Sequence, residues 1–239
     1  HTVREKAAQF RRSLLHAAFT GALTGHDVEE GLPEGWEIRD LRDVATLSLG
    51  KMLDKKQQTG LHPTPYLRNI NVRWGNVDLD DVQTMDITPD QIDRVSLGNG
   101  DVVVCEGGEP GRAAVWAENE TFAIQKALHR VRPVPELNPA YLYFVLEKEF
   151  RGVGDHPLFT GTTIKHLPKE KISLVRVPMP SLPEQERIVE ILEDQLSRLD
   201  TSLAVADAVE KRSAGLRRSL LHSAFTGRLT EGWREAVNV

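Results

Sequence analysis

The side chains best suited to chemistry in this chain fall in three stretches, and all three carry donors rather than nucleophiles. "GKMLDKKQQTGLHPTP" (Gly50–Pro65) holds Lys51, Lys55, Lys56 and the amides of Gln57 and Gln58. Ammonium groups at this density neutralise phosphates, and a Gln amide can read an adenine edge through two hydrogen bonds. "YLRNINVRW" (Tyr66–Trp74) holds Arg68, Asn69 and Arg73. Read as a strand, it sends Arg68, Ile70 and Val72 to one face and Asn69, Asn71 and Arg73 to the other. "FTGTTIKHL" (Phe159–Leu167) places Thr162, Thr163, Lys165 and His166 behind a glycine and ahead of an expected short helix. Hydroxyls and backbone N–H groups so arranged suit a phosphate. Each stretch also has a plainer reading: a solvated loop, polar residues at strand ends, and helix capping by Thr162 or Thr163.

Groupings that would support catalysis are absent from the sequence. An amino methyltransferase needs a Gly-rich cofactor loop and an Asn/Asp-Pro-Pro-aromatic motif, and neither occurs. Asp54-Lys55-Lys56 has the flavour of a nuclease motif but no acidic partner on a neighbouring expected strand. Without clustered carboxylates, magnesium has no site. His62, His129, His156 and His166 lack metal-ligand spacing, and "EGGEPGR" (Glu106–Arg112) lacks the Gly-Lys-Ser/Thr that ends a P-loop. "LGNGD" (Leu97–Asp101) is a tight turn before a strand. Cys105, the one cysteine, reads as a small strand residue in "DVVVC". The chain is therefore expected to perform no chemistry and to need no cofactor or metal.

The elements that must position these residues change texture along the chain. Glu5–Phe19 reads as the end of a helix stopped at Gly21, and Thr24–Gly35 as a polar linker. From Trp36, short β-branched or aromatic runs ("WEIRDL", "YLRNINV", "DVVVCE", "AAVWA", "ALHRVRP") alternate with turn residues and read as strands. "PAYLYFVLEKEF" opens with a proline and reads as a helix, and "ISLVRVPMP" as a last strand. Ser181, Pro183 and Glu184 then form a helix start. Ile188, Leu192, Leu196, Leu199, Leu203, Leu216 and Leu220 follow at steps of three and four, which makes one amphipathic, coiled-coil-like helix roughly 60 Å long. A helix of that length needs a second long helix against its seam, from an upstream unit or from another chain.

The chain also repeats itself. Arg11–Thr24 and Arg217–Thr230 differ only at Ala17/Ser223 and Ala22/Arg228, and a Glu-Gly-Trp follows each copy. Repeat arrays recur every 20–50 residues or so and need about three copies, so a solenoid is excluded. The pattern reads as the tail of an earlier unit followed by one complete unit. His1 in place of a start Met fits a truncated or processed chain.

Bulk properties agree with a soluble globular class: 239 residues, 40% apolar, 27% charged, net charge −5. No apolar run approaches a membrane span, and the charged His1–Phe10 is no signal peptide. A single cysteine excludes an internal disulfide and suits a cytoplasmic location. The charge is uneven: Leu49–Trp74 is basic, whereas Gly75–Asp93 carries Asp78, Asp80, Asp81, Asp86, Asp90 and Asp93 against no base. A basic face beside an acidic stretch still allows one side to meet a polyanion.

The order "GDVVVCEGGEPGRAAV", "AIQKALHRVRP", "NPAYLYFVL", "GTTIKHL", then "VPMPSLPEQERI" leading into the long helix resembles the DNA specificity subunits of Type I restriction–modification enzymes. The resemblance covers nearly the whole chain; its most specific part is the run into Pro178–Gln185. It implies an α+β target-recognition domain (32–180) and a distal conserved helix for spacing and docking (181–230), ahead of a tail (231–239). Residues 1–31 would end the central conserved helix and continue into a linker. It further implies non-catalytic reading of one half of a bipartite duplex DNA target. The implied partners are methyltransferase subunits, two per full complex, and a restriction subunit. Members carry two recognition domains, and this chain has one, so self-association through the long helix is expected to supply the second. The rival is a coiled-coil adaptor whose α+β domain binds protein, which the acidic stretch favours; a nuclease ranks third. On the DNA reading, Lys55→Ala weakens binding with little change in base preference and lowers the slope of log K against log salt by about one. An unchanged slope removes Lys55 from the phosphate contacts.

Overall fold

A computed structural model describes residues 3–26, 31–54 and 58–237. The fold is α+β and divides into two compact units, one formed by Arg12–Leu192 and the other by the described parts of 1–11 and 193–239. The division cuts through two helices, α1 (Val3–Phe19) and α6 (Leu182–Phe225).

In the larger unit, β1 (Glu37–Asp40) leads through the single turn α2 (Leu41–Val44) into β2 (Ala45–Leu49). A four-stranded antiparallel sheet runs β2-β10-β7-β8, with β7 at Val102–Cys105, β8 at Ala113–Val115 and β10 at Leu128–Pro133. β7 is buried on both faces, which explains its unbroken "VVVC". A second sheet runs β6-β3-β9, in which β3 (Pro63–Leu67) is antiparallel to β6 (Gln83–Asp86) and parallel to β9 (Ala123–Ile124). β4 (Val72–Arg73) and β5 (Asn76–Val77) make a small hairpin, and β11 (Arg176–Met179) pairs with β1. Between the sheets lies a core of Leu67, Val72, Val103, Trp116, Ile124 and Leu128. α3 (Pro89–Val95) and α5 (Lys169–Ile172) are short. α4 (Pro139–Phe150) is capped by Asn138, whose side chain accepts the N–H groups of Ala140 and Tyr141.

One strand expectation fails. "YLRNINV" is not continuous: β3 ends at Leu67, and Asn69–Asn71 is a 3-10 turn before β4. The Asn71 side chain accepts the Arg68 N–H at 2.9 Å and donates to the carbonyls of Asp78 and Asp81, both at 3.0 Å. An Asn side chain that bonds the local backbone competes with the sheet ladder, and here it wins. The two-faced split of Arg68 to Arg73 therefore does not hold.

α6 runs for 44 residues, about 66 Å at 1.5 Å per residue. Its first turn is tied into the larger unit by two adjacent side chains. Fully buried Gln185 accepts the Asn138 N–H at 2.8 Å and donates to the carbonyls of Glu136 (2.9 Å) and Pro180 (3.0 Å). Glu184 does not fold back into a capping box. Its carboxylate takes the Thr24 hydroxyl (2.9 Å), the His26 ring (2.7 Å) and the Trp36 indole N–H (3.1 Å). The described ends of the expected linker are thus anchored, while 27–30 lie outside the described residues.

Along the seam, Ile188, Leu192 and Leu196 are buried, Leu199 and Leu203 are half-buried, and Leu216 and Leu220 are exposed. The smaller unit shows why. The start of α1 lies antiparallel to the middle of α6, with Arg4 on Asp207 and Arg11 on Asp200, each at 2.9 Å, and Ala7 buried. Beyond that overlap α6 continues with no described partner helix.

Gln185→Leu strands an N–H and two carbonyls in the interior and is expected to lower stability by about 2 kcal/mol. Urea unfolding measures it; an unchanged midpoint contradicts the anchoring role of Gln185.

Candidate nucleic-acid interface

The sequence separates the expected contact residues into unrelated loops, and the fold stitches most of these loops together. The connector is the Glu106–Arg112 loop between β7 and β8. It closes on itself through Gly111 N–H to Cys105 O (2.9 Å) and Arg112 N–H to Glu109 O (3.2 Å). Gly111 has φ +87°, and a Cβ there would collide with the Phe150 ring, so only glycine fits.

Asn69 and this loop hold each other. The Asn69 amide donates to Gly107 O at 2.8 Å, and the Arg112 guanidinium donates to Asn69 O at 2.9 Å. On its other side the loop meets Thr160–Leu167. Gly107 bridges to His166, and Leu167 N–H donates to Glu106 O at 2.7 Å. His166 and Thr160 exchange both backbone hydrogen bonds, at 2.8 and 2.9 Å. Lys51 joins through the Gln125–Ala127 turn: Lys126 N–H donates to Lys51 O, and Gln125 N–H to Leu67 O, each at 3.0 Å. Lys51, Arg68, Asn69 and the Thr162–His166 stretch therefore lie along one connected loop system.

Their side chains are not equally available. The Lys51 ammonium is spent on Asp86 O and Gln91 Oε1, both at 2.7 Å. Arg68 is bound to the Asp81 carboxylate at 2.7 Å and to its carbonyl at 2.8 Å. Lys165 pairs with Asp155 at 2.8 Å. Arg73, at the mouth of the β4–β5 hairpin, is exposed, with Asp78 at a loose 3.8 Å. Thr162, Thr163 and His166 are exposed. The helix after them, α5, starts only at Lys169 with Pro168 as its cap residue, so Thr162 and Thr163 do not cap it. Lys55, Lys56 and Gln57 lie outside the described residues.

The far end of the Lys-rich loop is held by one carboxylate. Buried Asp86 accepts the Thr59 N–H and hydroxyl (2.9 Å for the hydroxyl), the Gly60 N–H (2.7 Å) and the His62 N–H (3.1 Å). Burial pushes this acid up, but the Thr59 hydroxyl and the three amides together outweigh it and hold Asp86 below the ordinary carboxylate value. Much of the acidic stretch is structural in the same way, with Asp81 on Arg68 and Asp86 inside the loop.

Three features have no marker in the local sequence that assigns them to the site. The Glu106–Arg112 loop lacks the end of a P-loop and belongs to the family-like run, and its glycine spacing signals a close backbone approach. Exposed Lys126 sits in the turn beside Lys51, and nothing in "IQKAL" marks it. Trp74 donates to Glu109 at 2.6 Å while the Arg151 guanidinium lies 5.7 Å above its ring. At the junction itself, Arg68 Nε, Asn69 Oδ1 and Arg112 Nε have no protein hydrogen-bond partner among the described residues. Cys105 is buried, which pushes its thiol up to about 11 and leaves little thiolate near neutrality. Among the described residues no cluster of His, Cys, Asp and Glu is placed to hold a metal ion, and no helix is long and apolar enough to cross a membrane.

A family model for the Type I restriction modification DNA specificity domain matches residues 33–206. The chain belongs to this family. Among the specificity subunits it is similar to, that of the Salmonella potsdam Type I restriction enzyme StySPI is 27% identical over 217 residues, covering 86% of this chain and 46% of the relative. The EcoKI specificity subunit of Escherichia coli strain K12 is 26% identical over 215 residues, covering 85% and 45%. The chain thus spans about half the length of these specificity subunits. A structure described under complex assembly and conformational transition of the type I R-M system aligns with TM-score 0.61 at 21% identity, over 88% of this chain and 52% of that one. The HsdS subunit of Thermoanaerobacter tengcongensis aligns with TM-score 0.58 at 22% identity, over 94% and 54%. At these identities both show likeness of fold.

Asp86 carries a sign-definite pH prediction. Its folded value is depressed, so its hold on the loop is complete above the ordinary carboxylate value of about 3.9 and is lost as pH falls through the lower folded value. Amide exchange at Thr59, Gly60 and His62 checks this. Asp86→Ala is expected to speed exchange there by at least about tenfold near neutral pH, where the wild type is protected.

Proposed function

We propose that residues 32–180 read one half of a bipartite duplex DNA target and that 181–230 space this reading head and dock partner subunits. The observation that carries the reading is the loop system, in a chain whose family is that of DNA specificity domains. It sets the exposed Thr162, Thr163 and His166 in the loop joined to the Asn69 junction, which also reaches Lys51 and Lys126. Exposed cations there supply sequence-independent phosphate attraction, and the exposed Arg73, threonines and His166 supply directional donors. Arg68, Asn69, Arg112 and Asp86 fix the shape of these loops. Arg68 and Asn69 thereby act as positioning residues.

Catalysis belongs to other subunits on this reading. The similar proteins are named as specificity subunits of restriction enzymes, and one aligned structure concerns assembly of a type I R-M system. Modification subunits, two in a full complex, and a restriction subunit are the partners this supports, with α6 as their docking rod in the cytoplasm. A second reading head completes the split target. A second copy of the chain, joined through the exposed part of the α6 seam, would supply such a head.

Binding to a duplex library, with and without the modification subunit, separates this reading from the adaptor. The expected result is selection of a short half-site, with Lys126→Ala lowering the slope of log K against log salt by about one while leaving the selected bases unchanged. Absence of duplex binding under both conditions favours the protein-binding adaptor.

A further inference from the structure

The β4–β5 hairpin is small, and its two faces differ in kind. Val72 is fully buried, and its cross-strand partner Val77 packs against the same core. Arg73 and Asn76 form the other cross-strand pair, on either side of the Trp74–Gly75 turn, and both are exposed. The pleat sends successive pairs to opposite faces, so the buried Val72–Val77 pair puts Arg73 and Asn76 together on the outer one. Residues directly opposite in an antiparallel ladder have Cβ atoms about 4.5–5.5 Å apart. A guanidinium and a carboxamide thus stand side by side in solvent.

The backbone beneath them is tied down. Gly75 N–H donates to Ala113 O in β8 at 3.0 Å. Gly75 has φ +73°, and a Cβ there would press on the Tyr143 hydroxyl at 3.0 Å. The Trp74 indole is fixed to Glu109, which also takes the Arg112 guanidinium at 3.0 Å. At the strand ends, Asp78 N–H donates to Asn71 O at 2.7 Å and the Asn71 amide donates to Asp78 O at 3.0 Å.

The two outer side chains, by contrast, are uncommitted. Arg73 has Asp78 at 3.8 Å, beyond hydrogen-bonding distance, and the Asn76 amide makes no hydrogen bond among the described residues. The Asp78 carboxylate is itself held, accepting the Asp80 N–H at 3.1 Å. An acid this close makes Arg73 a poor phosphate anchor, because backbone attraction counts net charge. It does not impair a paired hydrogen bond to a neutral base edge.

We propose that the outer face of this hairpin is a base-reading ribbon. Arg73 donates to O6 and N7 of a guanine. Asn76 accepts from N6 and donates to N7 of an adenine in the neighbouring base pair. The major groove admits a two-stranded ribbon, and these are the two-point contacts that Arg and Asn make there. The separation of the pair is close to the rise of about 3.4 Å between stacked bases. Resting on the half-site reading of residues 32–180, this assigns two of its bases to the hairpin and leaves the phosphates to Lys126 and other exposed cations of the loop system.

Selection from a duplex library by the full chain with the modification subunit, as wild type, Arg73→Lys and Asn76→Ala, tests the assignment. Both positions are exposed, and urea midpoints equal to wild type show that the variants fold. The wild type is expected to select a guanine and an adenine in neighbouring base pairs. Arg73→Lys keeps the charge and loses the planar fork, so guanine preference should fall about tenfold with the salt slope unchanged. Asn76→Ala should lower adenine preference about tenfold and leave the guanine in place. An unchanged motif in either variant, a loss of affinity shared equally by all sequences, or a wild-type half-site without such neighbours overturns the hairpin as reader and leaves half-site recognition standing. A wild type that selects no sequence overturns half-site recognition itself, and the role of the hairpin falls with it.

Discussion

Consecutive residues in the first turn of α6, Glu184 and Gln185, carry the constraint on which the architecture depends. A long helix has little affinity of its own for a mixed sheet domain, because only its first turns can touch it. Gln185 solves this with a buried amide whose hydrogen bonds all run to backbone groups of the domain. Its Asn138 partner is also the cap of α4, so the starts of α4 and α6 are fixed to one another. Glu184 does the complementary task. Its carboxylate collects the Thr24, His26 and Trp36 donors and so closes the chain on both sides of residues 27–30. A carboxylate in the first helical turn is further favoured by the helix dipole.

The candidate interface follows a similar economy, in that charge builds the loops more than it decorates them. Arg68, Arg112, Lys51 and Asp86 are engaged with backbone or counter-charges. What remains exposed is a smaller set: Arg73, Lys126, Thr162, Thr163 and His166. A scaffold of this kind suits a reading head, since a directional donor discriminates only if its backbone is held still. The acids of 75–93 take part in the same scaffold, as Asp81 does by pairing with Arg68.

The repeat shows that identical sequence need not mean identical environment. Its turns, threonine hydrogen bonds and left-handed glycines are local and recur in both copies. Burial of its apolar face depends on what lies opposite, and among the described residues the first copy is covered and the second is exposed.

Much of the fold was legible because its signals are short-range. The buried run of β7, the proline-opened α4, the strand of Arg176–Met179 and the uninterrupted heptad-like spacing of α6 all follow from side-chain periodicity and backbone restriction. Local rules misled at Tyr66–Trp74, where alternation promised a strand and an asparagine side chain made a turn. The site was legible as donor types but not as an arrangement. Whether a lysine faces solvent or a carbonyl is set by residues far along the chain, as with Lys51 against Asp86 and Asn69 against Gly107. The sequence by itself thus determined the elements, the family pattern and the presence of two equivalent helix ends. The tertiary structure alone decided which donors are spent, which loops meet through Glu106–Arg112, and which copy of the repeat is covered, because each of these is a contact between distant residues that no local pattern encodes.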